Sequence, residues 1–154
     1  MPTAIVWFRK CLRLHDNPAL TWACESSEVD SILPVFIMDE ELESEGTGGI
    51  GFNRARFLVQ SLRDLDDSLR RELGLRLRIL RGDILETMES VISSLDGGAP
   101  YLAYEYCSEP KSLSVSAEIS RWELSGKMKF EPRIFSGSHT LLDIEKTVCS
   151  ENYS

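Results

Sequence analysis

Two histidines and four cysteines are the whole supply of soft metal-ligating side chains in this 154-residue chain. Cys11, Cys24, Cys107 and Cys149 are scattered with no C-x-x-C pair, so neither a disulfide framework nor a zinc site finds its spacing. They read as reduced, partly buried thiols. Basic residues are also short, 17 against 25 acidic ones, and the net charge of −8 opposes a polyanion such as DNA unless the cations are segregated on one face. No apolar run approaches the length needed to cross a bilayer, so no membrane contact is expected. Met1 passes directly into a strand-like run without the basic, apolar and small-residue succession of a secretory leader. The compartment expected on these grounds is cytoplasmic, nuclear or both.

What remains is an ordinary apolar content of 42%, enough for one compact domain. Five strand-like runs, Ala4 to Phe8, Ser31 to Met38, Leu75 to Arg81, Tyr101 to Tyr106 and Met128 to Phe135, alternate with four helix-like ones. That alternation predicts right-handed crossovers on a parallel sheet, hence an α/β fold with helices on both faces. The near-continuous apolar strands fit double coverage. Asn17 is placed to cap a first helix, with Pro18 at the position where a missing N–H costs nothing. A second helix from Asn53 to about Leu73 carries Phe57, Leu58, Leu62, Leu65, Leu69 and Leu73 as its apolar stripe and stops at Gly74. A third runs from about Asp83 to Leu95, and a fourth between Pro110 and Ser125.

Several suggestive patterns read better as structure. Gly46, Gly48 and Gly51 fit G-x-G-x-x-G, but the acidic stretch from Asp39 to Glu45 separates them from the strand and would repel a pyrophosphate. Ser138-His139 are adjacent, and no carboxylate is spaced to orient the imidazole, so a turn is expected. His15 stands alone beside the helix cap. More informative are the charged residues at strand ends, because in open parallel sheets ligands bind outside the carboxyl ends. Arg9 follows strand one, Asp39 strand two, and Glu105 to Glu109 strand four, so these groups are expected on one rim. Arg54 and Arg56 face the same crevice in this reading, holding an acidic ligand or pairing with Asp39 or Glu109; a salt-bridge network is the structural alternative.

The run Val6-Trp7-Phe8-Arg9-Lys10-Cys11-Leu12-Arg13-Leu14-His15-Asp16-Asn17-Pro18-Ala19-Leu20 resembles the opening of the cryptochrome/photolyase family. Leu33-Pro34-Val35-Phe36-Ile37, Gly51-Phe52-Asn53-Arg54-Ala55-Arg56-Phe57-Leu58, Ser61 to Asp66, Glu109-Pro110 and Ser138-His139-Thr140-Leu141 follow in the family's order. The wording is closer to animal cryptochromes and (6-4) photolyases than to bacterial enzymes or the DASH group.

The resemblance implies a Rossmann-like five-stranded sheet of order 3-2-1-4-5 over residues 1–140, with 141–154 opening a truncated interdomain linker and the helical FAD-binding domain absent. It implies a parent that is a blue-light photoreceptor or circadian regulator, with a (6-4) DNA photolyase as one alternative and a free-standing interaction module as another. This chain alone would then be no enzyme, since FAD and the electron-transfer residues belong to the missing domain. The partners implied are that FAD domain and clock or signalling proteins. An antenna chromophore, folate or deazaflavin, is the cofactor that such a first domain holds in some members. By resemblance the folate pair is Ser108 and Glu109, and the deazaflavin positions are Asp39, Arg54 or Arg56, Cys107 and Glu109. Cys107 stands where many relatives carry an acidic residue, and a thiol is a weak hydrogen-bond partner. Lys111 to Ser116 likewise replaces an expected charged lining by small or apolar residues.

Overall fold

A computed structural model describes residues 2–39, 51–95, 98–107 and 110–136. Five strands, β1 (Thr3–Phe8), β2 (Ser31–Met38), β3 (Arg78–Arg81), β4 (Tyr101–Glu105) and β5 (Glu131–Phe135), alternate with four helices. These are α1 (Pro18–Glu25), α2 (Phe52–Leu73), α3 (Ile84–Ser93) and α4 (Pro110–Ser125). All strand pairs are parallel and the order is β3-β2-β1-β4-β5, as the sequence predicts.

The central strand β1 has no exposed face. Ala4, Val6 and Phe8 point to one side, where Leu20 of α1 and Leu62, Leu65 and Leu69 of α2 cover them. Ile5 and Trp7 point to the other, against Met88 and Ile92 of α3 and Ile119 and Trp122 of α4. Each of the α2 leucines, at most 2% exposed, contributes about 1.5–3 kcal/mol by leaving water.

The local signals behave as the residue chemistry requires. Asn17 Oδ1 accepts from the Leu20 N–H at 3.0 Å with Pro18 beside it, and Asp83 caps α3 by accepting from the amides of Leu85 and Glu86. Gly74 takes φ +68, donates its N–H to the Arg70 carbonyl at 3.1 Å and lets the Leu75 N–H reach back to the Leu69 carbonyl at 3.2 Å, which ends α2.

Three strands are shorter than their apolar runs. Leu75 to Leu77 are taken by that helix cap and by Asp66, whose Oδ1 accepts from the Leu77 N–H at 2.8 Å, so β3 begins only at Arg78. Met128 to Phe130 lead into β5 without joining it, although Phe130 is buried in the α3/α4 core. Tyr106 lies past β4, but its N–H still donates to the Phe135 carbonyl at 2.7 Å.

Candidate functional site: a crevice at the carboxyl end of the sheet

The chain leaves β1 at Phe8, and the next side chain folds back instead of reaching outward. The Arg9 guanidinium carbon lies 4.5 Å from the Trp7 ring centroid and 5.5 Å from that of Tyr104, a strand away on β4. Its two terminal nitrogens donate to the Ser112 carbonyl at 3.1 Å and to Ser116 Oγ at 3.3 Å, both on α4. Ser116 Oγ in turn donates to that same carbonyl at 2.8 Å. Arg9 therefore ties β1, β4 and α4 together by a cation over two aromatic faces and two charge-assisted hydrogen bonds.

The loop beyond Arg9 is held just as firmly. Arg13 pairs with Glu105 at the end of β4 at 3.1 Å and donates to the Asp16 carbonyl, while Asn17 Nδ2 donates to the Arg13 carbonyl at 3.1 Å. Asp16 adopts φ +54, a left-handed conformation that aspartate tolerates better than most residues. Cys11 sits half-buried in this loop; burial pushes its thiol pKa up, and nearby Glu105 adds to that while Arg13 opposes it.

Asp39, directly after β2, accepts from Lys111 Nζ in the first turn of α4 at 2.9 Å. That ion pair spans 72 residues of sequence and closes one side of a crevice of about 640 Å³, within the size range of ordinary small-molecule sites. Trp7, Phe36, Phe57 and Val115 supply apolar wall. Among the described residues, Arg9, Lys10, Arg54 and Lys111 line it against one carboxylate, Asp39. Arg54, exposed in the first turn of α2, makes no hydrogen bond or ion pair with the described residues. The exposed Phe57 ring and the Arg54 guanidinium suit a planar, anionic ligand.

Of the residues singled out from sequence, Arg9, Asp39 and Arg54 share this crevice. Arg56 does not line it: two residues on from Arg54 it stands about 200° around the helix and is solvent-exposed. Asp39 pairs with Lys111 and not with an arginine of α2. Cys107 follows β4, half-buried and outside the lining, and Ser108 and Glu109 lie outside the described residues. So do Gly46, Gly48, Ser138 and His139. Lys111, Ser112 and Val115 of the crevice wall went unrecognised as site residues in the sequence; the signal available was their position on the first turns of the helix that follows β4.

Among the described residues no group of three or more His, Cys, Asp or Glu is arranged to hold a metal ion. No helix among them is long and apolar enough to cross a membrane.

The (6-4)DNA photolyase of Arabidopsis thaliana is 36% identical over 148 residues, which cover 91% of this chain and 25% of that protein. Cryptochrome-1 of Mus musculus is 37% identical over 145 residues, covering 94% and 22%. Among solved structures, the cryptochrome of Synechocystis sp. PCC6803 superposes with a TM-score of 0.74 at 26% identity, over 90% of this chain and 28% of that one. The archaeal photolyase of Sulfolobus tokodaii, solved with two FAD molecules, gives 0.71 at 27% identity, over 87% and 29%. The chain thus spans about a quarter of the length of the relatives it matches. A model of the family described as DNA photolyase matches residues 4–149, nearly the whole sequence, and the chain belongs to that photolyase and cryptochrome family.

Proposed function

We propose that this chain is the sheet domain of a cryptochrome-type blue-light photoreceptor or circadian regulator, and that its crevice takes a planar, anionic antenna heterocycle of the deazaflavin or folate kind. Residues 1–140 form the domain in this reading and 141–154 begin the connection to a helical FAD-bearing part, which carries the photochemistry. The domain itself transfers no electron. It binds and orients a light-absorbing ring, with Arg54 neutralising the ring's anionic edge and the exposed Phe57 ring covering one of its faces.

The observation that carries the ligand is the division of labour among the cations. Arg9 and Lys111 already have partners inside the fold, whereas Arg54 points a fixed charge into an aromatic crevice with none among the described residues. The Sulfolobus tokodaii photolyase was interpreted as carrying a novel light-harvesting cofactor, which supports looking for one in a domain of this fold. The net charge of −8 works against contact of this domain itself with a DNA backbone.

Titrating the purified chain with a deazaflavin, a reduced folate and FAD, followed by ligand absorbance and tryptophan fluorescence, tests the site. Saturable binding of a deazaflavin or folate, weakened by Arg54→Glu, is the expected result; no spectral change at millimolar ligand refutes it. For the parent, the complete gene product assayed for blue-light signalling and for repair of (6-4) photoproducts separates the two readings. Signalling without repair is expected, and light-dependent repair would establish the photolyase alternative.

A further inference from the structure

Positive charge is not spread evenly over this acidic chain. Residues 51–82 hold eight of its seventeen basic residues and only four of its twenty-five acidic ones, so this stretch carries +4 while the remainder carries −12. All eight are arginines, the cation whose planar fork matches a carboxylate bidentately. In the fold the stretch is α2, the turn after it and β3, the outermost strand on one side of the sheet.

The periodicity of α2 resolves that charge into a surface. Leu58, Leu62, Leu65 and Leu69 mark the core side. Phe52, Arg56, Val59, Arg63 and Arg70 recur at spacings of three, four and seven and share a different, solvent-facing flank. Asp66, adjacent to that flank, reaches Arg76 and the Leu77 N–H on the entry to β3, so the flank faces the edge strand and not α1. Ile79 pairs in register with Phe36 and therefore lies on the α2 side of β3, yet it remains 48% exposed. Phe52 and Val59 are 79% and 41% exposed. Arg56, Arg63 and Arg78 make no hydrogen bond or ion pair with the described residues.

A solvated helix face needs neither an exposed phenylalanine nor three unengaged arginines around it. Charged edge residues do guard a strand against self-pairing, which accounts for Arg78 and Arg81 but not for the α2 flank. We infer that the angle between the outer flank of α2 and the open edge of β3 is a docking surface for an acidic segment of a partner protein. That segment sets carboxylates against Arg56, Arg63 and Arg78 and apolar side chains on Phe52, Val59 and Ile79. A polypeptide fits better than a nucleic acid, because the surface offers apolar anchors and the edge strand β3 for main-chain contact. This surface is separate from the crevice and stands whether or not that crevice binds a chromophore.

The test uses the full chain and a fluorescein-labelled sixteen-residue peptide, designed to alternate glutamate with leucine, read by fluorescence anisotropy. Binding is expected to fall about tenfold or more with Arg56→Glu/Arg63→Glu, with Phe52→Ser/Val59→Ser, and with each leucine of the peptide changed to serine. Circular dichroism of these variants should match the parent, because the substituted side chains are exposed. Equal binding of the leucine and serine peptides, or tighter binding of a single-stranded oligonucleotide of the same length, would reduce the surface to unspecific attraction for polyanions and overturn the inference. Sedimentation showing a dimer that the arginine reversal dissolves would make the occupant a second copy, and would overturn it too.

Discussion

If Arg9 is a tie between β1, β4 and α4, its removal must cost stability first and ligand binding second. Truncation by Arg9→Ala loses the two hydrogen bonds to α4, at 3.1 and 3.3 Å, and the cation over Trp7. A hydrogen bond involving a charged group contributes about 1.5–3 kcal/mol, the longer second bond less, and a half-exposed cation–π contact about 0.5–1 kcal/mol, so the expected loss is about 2–4 kcal/mol. For a domain of this size, with a urea m-value near ~2 kcal/mol/M, the midpoint falls by about 1–2 M. Arg9→Lys keeps a cation near Trp7 but not the fork that spans Ser112 and Ser116, and should lose roughly half as much. Urea unfolding followed by the fluorescence of Trp7, Trp22 and Trp122 measures both variants, with the chromophore titration run beside it. Arg54→Ala is the counterpart: unchanged midpoint, weakened ligand. The reasoning fails if Arg9→Ala shifts the midpoint by less than about 0.3 M while abolishing ligand binding, for Arg9 would then be a ligand group and not a tie.

Asn17→Ala removes both the α1 cap and the bond to the Arg13 carbonyl and should cost about 2–3 kcal/mol, whereas Asn17→Asp keeps the cap and should cost about 1, measured by the same urea titration. Asp66, its pKa lowered by the Arg76 hydrogen bond and then by the Leu77 N–H, stabilises the native state above the ordinary carboxylate pKa. Its contribution is lost as pH falls through the depressed native value, so wild type should lose more stability than Asp66→Asn between pH 5 and 2 in pH-dependent unfolding. At neutral pH that substitution should cost about 1 kcal/mol, discounted for the screening of a surface pair. Cys11, raised by burial and then by Glu105, contributes stability that is present below the pKa of an unfolded thiol and lost as pH rises through its higher native one. Iodoacetamide should accordingly alkylate Cys11 with a midpoint above that of free cysteine in a rate-against-pH series, and a midpoint at or below it would contradict the placement beside Glu105.

What was legible in the sequence is what depends on neighbours along the chain. Asn17-Pro18 announces the start of α1 and Gly74 the end of α2, because each satisfies or terminates backbone hydrogen bonds within a few residues. The apolar continuity of Ala4 to Phe8 announced a strand covered on both sides, and α3 and α4 do cover the side that α1 and α2 leave. Strand length was less legible. Leu75 and Leu77 read as strand by their side chains, but their amides are claimed by Leu69 and Asp66 across a turn that the apolar pattern does not encode.

The site divides along the same line. That Arg9, Asp39 and Arg54 share a crevice follows from parallel strands delivering their carboxyl ends to one rim. The stripe of Leu58, Leu62, Leu65 and Leu69 already contained the phase that separates Arg54 from Arg56, since two residues turn a helix through about 200°. What those charges do there was not legible, because it is decided by α4, about a hundred residues beyond Arg9. Ser112 and Ser116 look like inert small residues in the sequence. Ser112 offers its main-chain carbonyl and Ser116 its hydroxyl to the Arg9 guanidinium, and Lys111, one residue before Ser112, captures Asp39. The helix that lacks the charged lining expected from the family is therefore the element that engages two of the three rim charges, and it leaves Arg54 as the one on which a ligand site of this domain would depend.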